Sequence, residues 1–202
     1  MKNKSALYAL IFSTSILISC NSNKLNRDEY IRWVESYENG LKQTKIIDNT
    51  EFKLQYRPHT YVVLKELHIK NPTYKMLTEK EEELKNYKYF GLQIKKDTSL
   101  NKKLNNKLYE GVQLNQSAYF DLYMPGHIWL IEGKDTITCS MFHFESDGGL
   151  RPYYNFLIAF SKNTNKDTLD KVFIFDDDLI VKGVVSFTVK ASDINNIPNI
   201  KL

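Results

Sequence analysis

Two residues suited to covalent chemistry lie close together in the sequence, Cys139 and His143. A thiol nucleophile and the base that activates it must come within hydrogen-bond reach of each other. Both residues fall in a predicted strand, where they share a face, but four residues at about 3.3 Å each separate them by about 13 Å. This spacing argues against a catalytic pair, and we interpret Cys139 as a small buried apolar side chain.

An acidic run, Asp176, Asp177 and Asp178, supplies the oxygen ligands that Ca²⁺ and Mg²⁺ prefer. Counted from Asp176, the run lacks the glycine at the sixth position and the glutamate at the twelfth position of an EF-hand loop. Adjacent side chains of an extended segment also point apart. We therefore predict a charged, solvated turn between two strands, with no metal and no other cofactor.

Glu145, Asp147 and Arg151 follow the strand that carries His143, and two carboxylates could serve acid–base chemistry. Aspartate is also common in turns for a backbone reason, a side-chain hydrogen bond to a following amide. The sequence contains no nucleophile elbow, phosphate-binding loop, zinc-protease helix or dinucleotide fingerprint. We interpret these residues as a turn and predict no catalytic residue.

Aromatic side chains form a further candidate site, a surface for a glycan or a protein partner. Trp129 is predicted to share a mixed, partly polar face with Thr136 and Thr138. We favour packing under an N-terminal helix over a binding role. The aromatic residues considered are Tyr119, Tyr123, Trp129, Tyr153 and Tyr154.

The elements that must position these residues are mostly strands in the C-terminal half. The clearest is a hairpin of two strands, 128–132 and 135–144, joined at Gly133 and Lys134, where glycine at the first loop position suits a type II′ turn. Apolar segments predict further strands over 153–160, 171–175 and 184–189. Together they predict a meander of mostly sequential antiparallel strands.

The N-terminal half is predicted to supply helices and the remaining strands. Asn26 and Glu29 have the spacing of a capping box and start the first helix. Apolar spacing predicts helices over 27–39, 58–67 and 100–108, a short helix starting at Thr78, and strands over 42–47, 52–57, 87–95 and 118–123. The predicted class is α+β, an antiparallel sheet with the N-terminal helix and short helices packed on one face.

The first residues of the chain have the order of a secretory signal. Lys2 and Lys4 precede an apolar run over 6–18, and a small residue, Ser19, precedes Cys20. Leu17 to Cys20 resembles the lipobox of bacterial lipoproteins, in particular the small lipoproteins of Bacteroidota. The resemblance implies cleavage before Cys20 and a lipid on its sulfur, with the mature chain anchored in the cell envelope.

This resemblance divides the chain into a signal peptide over 1–19, a lipidated polar tether over 20–26 and a single globular domain over 27–202. No acidic residue follows Cys20 closely, which by resemblance favours the periplasmic face of an outer membrane. Without Lys2 and Lys4, 26 basic and 24 acidic side chains remain, so charge gives no argument for nucleic acid. With Cys20 acylated, Cys139 has no cysteine partner for an intramolecular disulfide.

Three functions are compatible with these observations. The first is a non-enzymatic binding or assembly module at the membrane, with an envelope protein as one possible partner. The second is a lipid-anchored hydrolase that uses His143, Glu145 and Asp147. The third is an immunity-type protein that neutralises a toxin at the envelope.

Overall fold

The computed structural model describes residues 24–66, 69, 72–97, 100, 103, 108–109, 112–113, 115–146, 150–162 and 168–202. The signal segment, Cys20 and Asp147 therefore lie outside the described residues. The strands are β1 Lys24–Leu25, β2 Lys42–Ile47, β3 Thr50–Arg57, β4 Tyr87–Lys95, β5 Leu108–Tyr109, β6 Val112–Gln113, β7 Ile128–Glu132, β8 Asp135–Glu145, β9 Tyr153–Ser161, β10 Lys171–Phe175, β11 Val185–Val189 and β12 Asn199–Ile200. The helices are α1 Arg27–Glu35, α2 His59–Tyr61, α3 Tyr74–Leu84, α4 Gln116–Ala118 and α5 Ala191–Asn195.

Helix and sheet are combined in one fold, as the α+β class requires, and its main element is an eight-stranded antiparallel sheet. The strand order is β11-β10-β7-β8-β9-β4-β3-β2. The two edge strands lie close to each other. Gln43 Nε2 of β2 donates a hydrogen bond of 2.6 Å to the carbonyl oxygen of Thr188 in β11. The sheet is thus nearly closed into a barrel.

The predicted C-terminal meander is only partly correct. Strands β7, β8 and β9 follow one another, but β10 returns to pair with β7, and β9 pairs with β4 from the N-terminal half. The reason lies in β9, which is buried along most of its length. Its buried backbone N–H and C=O groups need hydrogen-bond partners, which a strand on each side supplies. Strand β4 is one of these two strands and brings β3 and β2 into the same sheet.

Aromatic rings fill the inside of the barrel. The ring of Phe90 in β4 lies 5.8 Å from that of Phe173 in β10, and the ring of Phe52 in β3 lies 6.1 Å from that of Phe175 in β10. These strands are not neighbours in the sheet, so the contacts cross the interior. The barrel is therefore a packed core.

A buried ion cluster lies at one end of this interior. Glu132 Oε2 is 2.5 Å from Lys88 Nζ, and Glu132 Oε1 is 3.5 Å from Lys171 Nζ. The three side chains are at most 3% exposed. The Lys171 ammonium also donates to the carbonyl oxygen of Leu169 at 2.8 Å. Two cations thus share one carboxylate out of contact with water.

Helix α1 has the predicted capping box. The Asn26 side chain accepts from the Glu29 amide, and the Glu29 side chain accepts from the Asn26 amide, each at 3.0 Å. The helix is shorter than predicted, since Ser36 is extended and residues Tyr37–Asn39 form a separate 3₁₀ turn ending at Gly40. Its residues Tyr30, Ile31 and Val34 are buried in the core.

Three other helical predictions need correction. Helix α3 starts at Tyr74, because Thr73 caps it by accepting from the Met76 amide at 3.2 Å; Thr78 lies inside the helix and donates to the carbonyl of Tyr74. The predicted helix 58–67 is one short helix, α2, followed by a π-helical turn over Val62–Glu66. The predicted helix 100–108 lies mostly outside the described residues, but Leu108 belongs to a strand.

The segment predicted as a strand over 118–123 is helical. Asn115 caps α4 by accepting from the Ala118 amide at 2.8 Å, and the chain continues as a π-helical turn over Tyr119–Tyr123 and a 3₁₀ turn over Met124–His127. Phe120 is completely buried and lies against three rings of the sheet, 4.8 Å from Phe144, 4.9 Å from Tyr154 and 5.0 Å from Phe156. This packing overrides the strand propensity of the aromatic run.

The predicted hairpin is confirmed. Trp129 pairs with Thr138 and Leu130 with Ile137, as the loop at Gly133 and Lys134 requires. Gly133 has a φ of +62°, the left-handed value that glycine provides at the first position of this turn.

The two termini of the described chain lie together. Strand β1, whose two residues fall in the predicted tether, pairs in parallel with β12. The described part of the chain therefore begins with a paired strand at Lys24, four positions after Cys20. Among the described residues, no helix combines the length and the apolar character needed to cross a bilayer.

Candidate functional site

Cys139 and His143 lie on opposite faces of β8, which corrects the prediction that they share one. The pairing of β8 with β9 shifts between Cys139 and Met141, so a bulge reverses the alternation of side chains. Cys139 packs against the core, as predicted, and burial raises the pKa of its thiol to about 11. His143 is exposed. Opposite faces of one strand do not bring the Cys139 thiol and the His143 imidazole together.

The acidic run is not a uniformly solvated turn, because Asp177 is buried. Its carboxylate accepts hydrogen bonds from the Tyr119 hydroxyl and, at 2.9 Å, from the Leu179 amide. Asp176 and Asp178 point into solvent. Asp177 therefore fixes the turn onto the helical segment, and no group of three potential metal ligands occurs within the described ranges.

The aromatic candidates separate into two groups. Tyr119 and Tyr154 are buried in the core, whereas Trp129 is half-buried on the outer face of the sheet opposite Thr138. Tyr153 is half-buried, and its hydroxyl accepts from Lys53 at 2.8 Å and donates to Glu51 at 3.0 Å. These residues do not form one exposed aromatic surface.

The candidate site is a polar groove on the outer face of strands β3, β4 and β9. Its volume is about 520 Å³. We call it the outer groove. It is lined by Glu35, Lys42, Lys53, Leu54, Gln55, Arg57, Tyr61, Lys65, Gly91, Gln93, Glu145, Arg151 and Asn155.

Strand alternation explains why these side chains meet. In β3 the apolar residues turn inward, so Lys53 and Arg57 turn outward. Strand register then places Lys53 beside Gln93 in β4, and Gln93 beside Asn155 in β9. Glu145 in β8 lies opposite Asn155 and extends this row. The outward residues of four strands therefore form a continuous polar surface.

Gly91 makes room for the Arg57 guanidinium at the floor of the groove. A Cβ atom at Gly91 would lie 2.3 Å from Nη2 and 2.6 Å from Cζ and Nε of Arg57. The guanidinium therefore lies directly against the backbone of β4, a position that only glycine permits.

Asn155 is the most unusual lining residue. Its side-chain oxygen accepts from Gln93 Nε2 at 2.7 Å, and only 7% of the residue is exposed. Its Nδ2 group is buried and has no hydrogen-bond partner among the described residues. A buried amide donor without a partner is costly, by about 1–3 kcal/mol, and such groups often indicate a missing ligand or water.

Glu35 closes one end of the outer groove. Its Oε1 accepts from the Tyr61 hydroxyl at 2.8 Å and from Lys65 Nζ at 2.7 Å. Partial burial alone would raise the pKa of the Glu35 carboxyl, but these two hydrogen bonds and the charges of Lys65 and Lys42 lower it below its ordinary value. The carboxylate is therefore ionised and already engaged.

We expect Lys65→Met to raise the pKa of Glu35 relative to the unmodified protein, because it removes a hydrogen bond and a positive charge. The measurement is a carboxyl ¹³C NMR titration of both proteins. A lowered pKa means that this interaction stabilises the fold at neutral pH and that its contribution is lost as the pH falls through the lowered pKa. Lys75→Met, at a highly exposed lysine on α3, is the control and leaves the titration of Glu35 unchanged. An identical midpoint in Lys65→Met would contradict this account.

The other end contains two of the residues considered for acid–base chemistry. Glu145 Oε2 lies 3.8 Å from Arg151 Nη1, and Lys53 is 3.1 Å from Glu51 beside them. His143 is not part of the lining, and Asp147 lies outside the described residues. The structure thus brings Glu145 and Arg151 into a groove, where they form an ion pair.

The side chains of the outer groove are mostly charged and amide groups, which suit contacts with a polar ligand. Its described lining combines five basic and two acidic side chains with three amides, and no serine, cysteine or histidine occurs among these described residues. Sequence analysis missed this site because its residues come from separate segments. Two features of the sequence could have indicated it: the polar residues that alternate with apolar ones along β3, and the single asparagine inside the apolar strand β9.

Comparison with known proteins gives no relative from which a role could be transferred. No model of a protein family, no curated protein and no solved structure shows a significant match to this chain.

Proposed function

We propose that this chain is a lipid-anchored ligand-binding module of the bacterial cell envelope, held at the outer membrane and facing the periplasm. The observation that carries the binding role is the outer groove, with the buried, unpartnered Nδ2 group of Asn155 in its lining. The N-terminal sequence up to Cys20 supports the anchored location.

The arrangement of the sheet supports this proposal. Helix α1 and the helical segment 116–127 pack with the inner aromatic residues of the sheet, in our view on one face of it. Tyr30 and Val34 of α1 belong to the same buried cluster as Phe120 and Phe156. Val62 of the π-helical turn and Leu84 of α3 cover the outward residues Tyr89 and Ala159. The neighbouring outward residues Arg57, Gly91, Gln93 and Asn155 line the groove.

The position of the paired strand β1 close to Cys20 in the sequence also supports an anchor. Lys24 lies four positions after Cys20 in the sequence, and four residues of fully extended chain span at most about 14 Å. A lipid on Cys20 would therefore hold the domain close to the bilayer. More than one acyl chain on that cysteine would make the attachment stable.

The location is tested by metabolic labelling with radioactive palmitate. We expect the intact protein to take up label and to sediment with membranes, and Cys20→Ser to lose both properties almost completely. Cys139→Ser is the matched control, because that thiol lies in the folded domain, and it keeps the label. A wild-type protein that takes up no fatty acid and stays in the soluble fraction would refute the anchor.

A further inference from the structure

We infer that the outer groove binds a small organic oxyanion, with its carboxylate or phosphate group at the Arg57 guanidinium and a hydrogen-bond acceptor at Asn155 Nδ2. This inference rests on the proposed binding function and specifies its ligand class. Three features of the groove carry it: the placement of Arg57, the state of Asn155 and the balance of charge.

Arg57 is placed as an oxyanion site requires. Its guanidinium lies flat against the strand at Gly91, so neighbouring backbone restricts its position. A planar guanidinium with a fixed orientation presents paired N–H donors that match the two oxygens of a carboxylate or phosphate. A lysine at this position would carry the same charge without that geometry.

Asn155 supplies a second contact point. The Gln93 amide fixes the orientation of the Asn155 side chain by donating to its oxygen at 2.7 Å. Its Nδ2 group then remains a buried donor without a partner among the described residues. Gln93 lies two positions after Gly91 on the same strand, so Asn155 and Arg57 bind neighbouring parts of one ligand.

The charge of the groove favours an anion. Five basic side chains face two carboxylates in the lining, and each of these carboxylates is engaged, Glu35 by Lys65 and Glu145 by Arg151. Counting Glu51, which pairs with Lys53 beside the groove, the described residues still carry two more positive than negative charges. A volume of about 520 Å³ suits a small molecule of the size of a sugar acid or sugar phosphate.

The test is isothermal titration calorimetry of the intact lipoprotein in detergent with three matched probes: glucuronate, glucose 6-phosphate and neutral glucose. We expect at least one anionic probe to bind at least tenfold more tightly than glucose, with an affinity that falls as NaCl is added. The two anions also distinguish a carboxylate site from a phosphate site.

Gly91→Ala is the decisive variant. Its Cβ would occupy the position of the guanidinium, and the end of the flexible Arg57 side chain can move without disturbing the strand. Arg57→Lys keeps the charge and removes the planar donors. We expect each to weaken anion binding at least tenfold, whereas Lys182→Gln, at an exposed lysine outside the groove, changes it less than twofold. Thermal unfolding midpoints of the three variants are measured to check that each is folded.

Three outcomes would overturn the inference. Tight binding of glucose, at the affinity of the anions, would refute the oxyanion class and leave the binding function intact. Unchanged anion affinity in both Gly91→Ala and Arg57→Lys would refute the placement of the anion at Arg57. If no probe binds, the oxyanion inference fails; if protein purified from native membranes also releases no small molecule, the proposed binding function fails with it.

Discussion

Replacing Glu132 with glutamine is expected to destabilise the protein by about 3–5 kcal/mol, the usual cost of breaking a buried ion pair from one side. Glu132 contacts the buried ammonium groups of both Lys88 and Lys171. The neutral amide has nearly the same shape, so packing changes little while two buried cations lose the carboxylate that they share. The measurement is the free energy of unfolding from urea denaturation. A typical domain is stable by only about 5–15 kcal/mol, so this loss is a large fraction of the total.

A matched exposed glutamate gives the control. Glu82 on α3 pairs with Lys85 at the surface, and Glu82→Gln is expected to change stability by less than about 1 kcal/mol, since exposed ion pairs contribute little. Equal effects at Glu82 and Glu132 would show that the interior cluster is hydrated.

The triple replacement Lys88→Met, Glu132→Leu and Lys171→Met tests what the cluster contributes as a whole. Removing all three charges together abolishes the desolvation cost that the single variant leaves uncompensated. Such replacements are often neutral or stabilising by about 1–4 kcal/mol. We expect the triple variant to be far more stable than Glu132→Gln, and a triple variant that is equally unstable would contradict this explanation.

The buried cluster also shows which structural features could be predicted from the sequence and which could not. Lys88, Glu132 and Lys171 each stand at the end of a strand and in phase with its inward residues, so their direction was predictable from alternation. The contact between the three charged groups was not predictable, because it depends on β10 pairing with β7 and on the near closure of the sheet.

Local features were predicted well because they depend on residues that are close together in the sequence. The capping box of Asn26 and Glu29, and the hairpin loop at Gly133 and Lys134, are each encoded within a few residues. The outer groove needs the pairing of β4 with β9, which joins residues about 60 positions apart along the chain. Asn155 is recognisable as a site residue only after that pairing places it beside Gln93.

A single inserted residue can also reverse a local prediction. The alternation of β8 placed Cys139 and His143 on one face, but the bulge between Cys139 and Met141 turns the following residues over. Nothing in the composition of this strand marks the bulge. The prediction of direction therefore failed at the bulge.

The helical segment 116–127 provides the second large effect. Phe120→Ala is expected to cost about 3–5 kcal/mol, because it removes a fully buried ring that contacts Phe144, Tyr154 and Phe156 and leaves a cavity that the barrel cannot close. Leu122→Ala is the matched control, since Leu122 is 72% exposed and its loss is expected to cost less than about 0.5 kcal/mol.

The comparison of these two variants distinguishes the helical structure from the strand that the sequence suggested. Residues two apart share a face of a strand, so a strand would bury Phe120 and Leu122 together and make both truncations costly. In a helix they lie on nearly opposite sides, and only the ring of Phe120 faces the sheet. Urea denaturation of both variants measures the difference directly. Similar losses at the two positions would return the segment to a strand and remove the helix that covers the rings of β8 and β9.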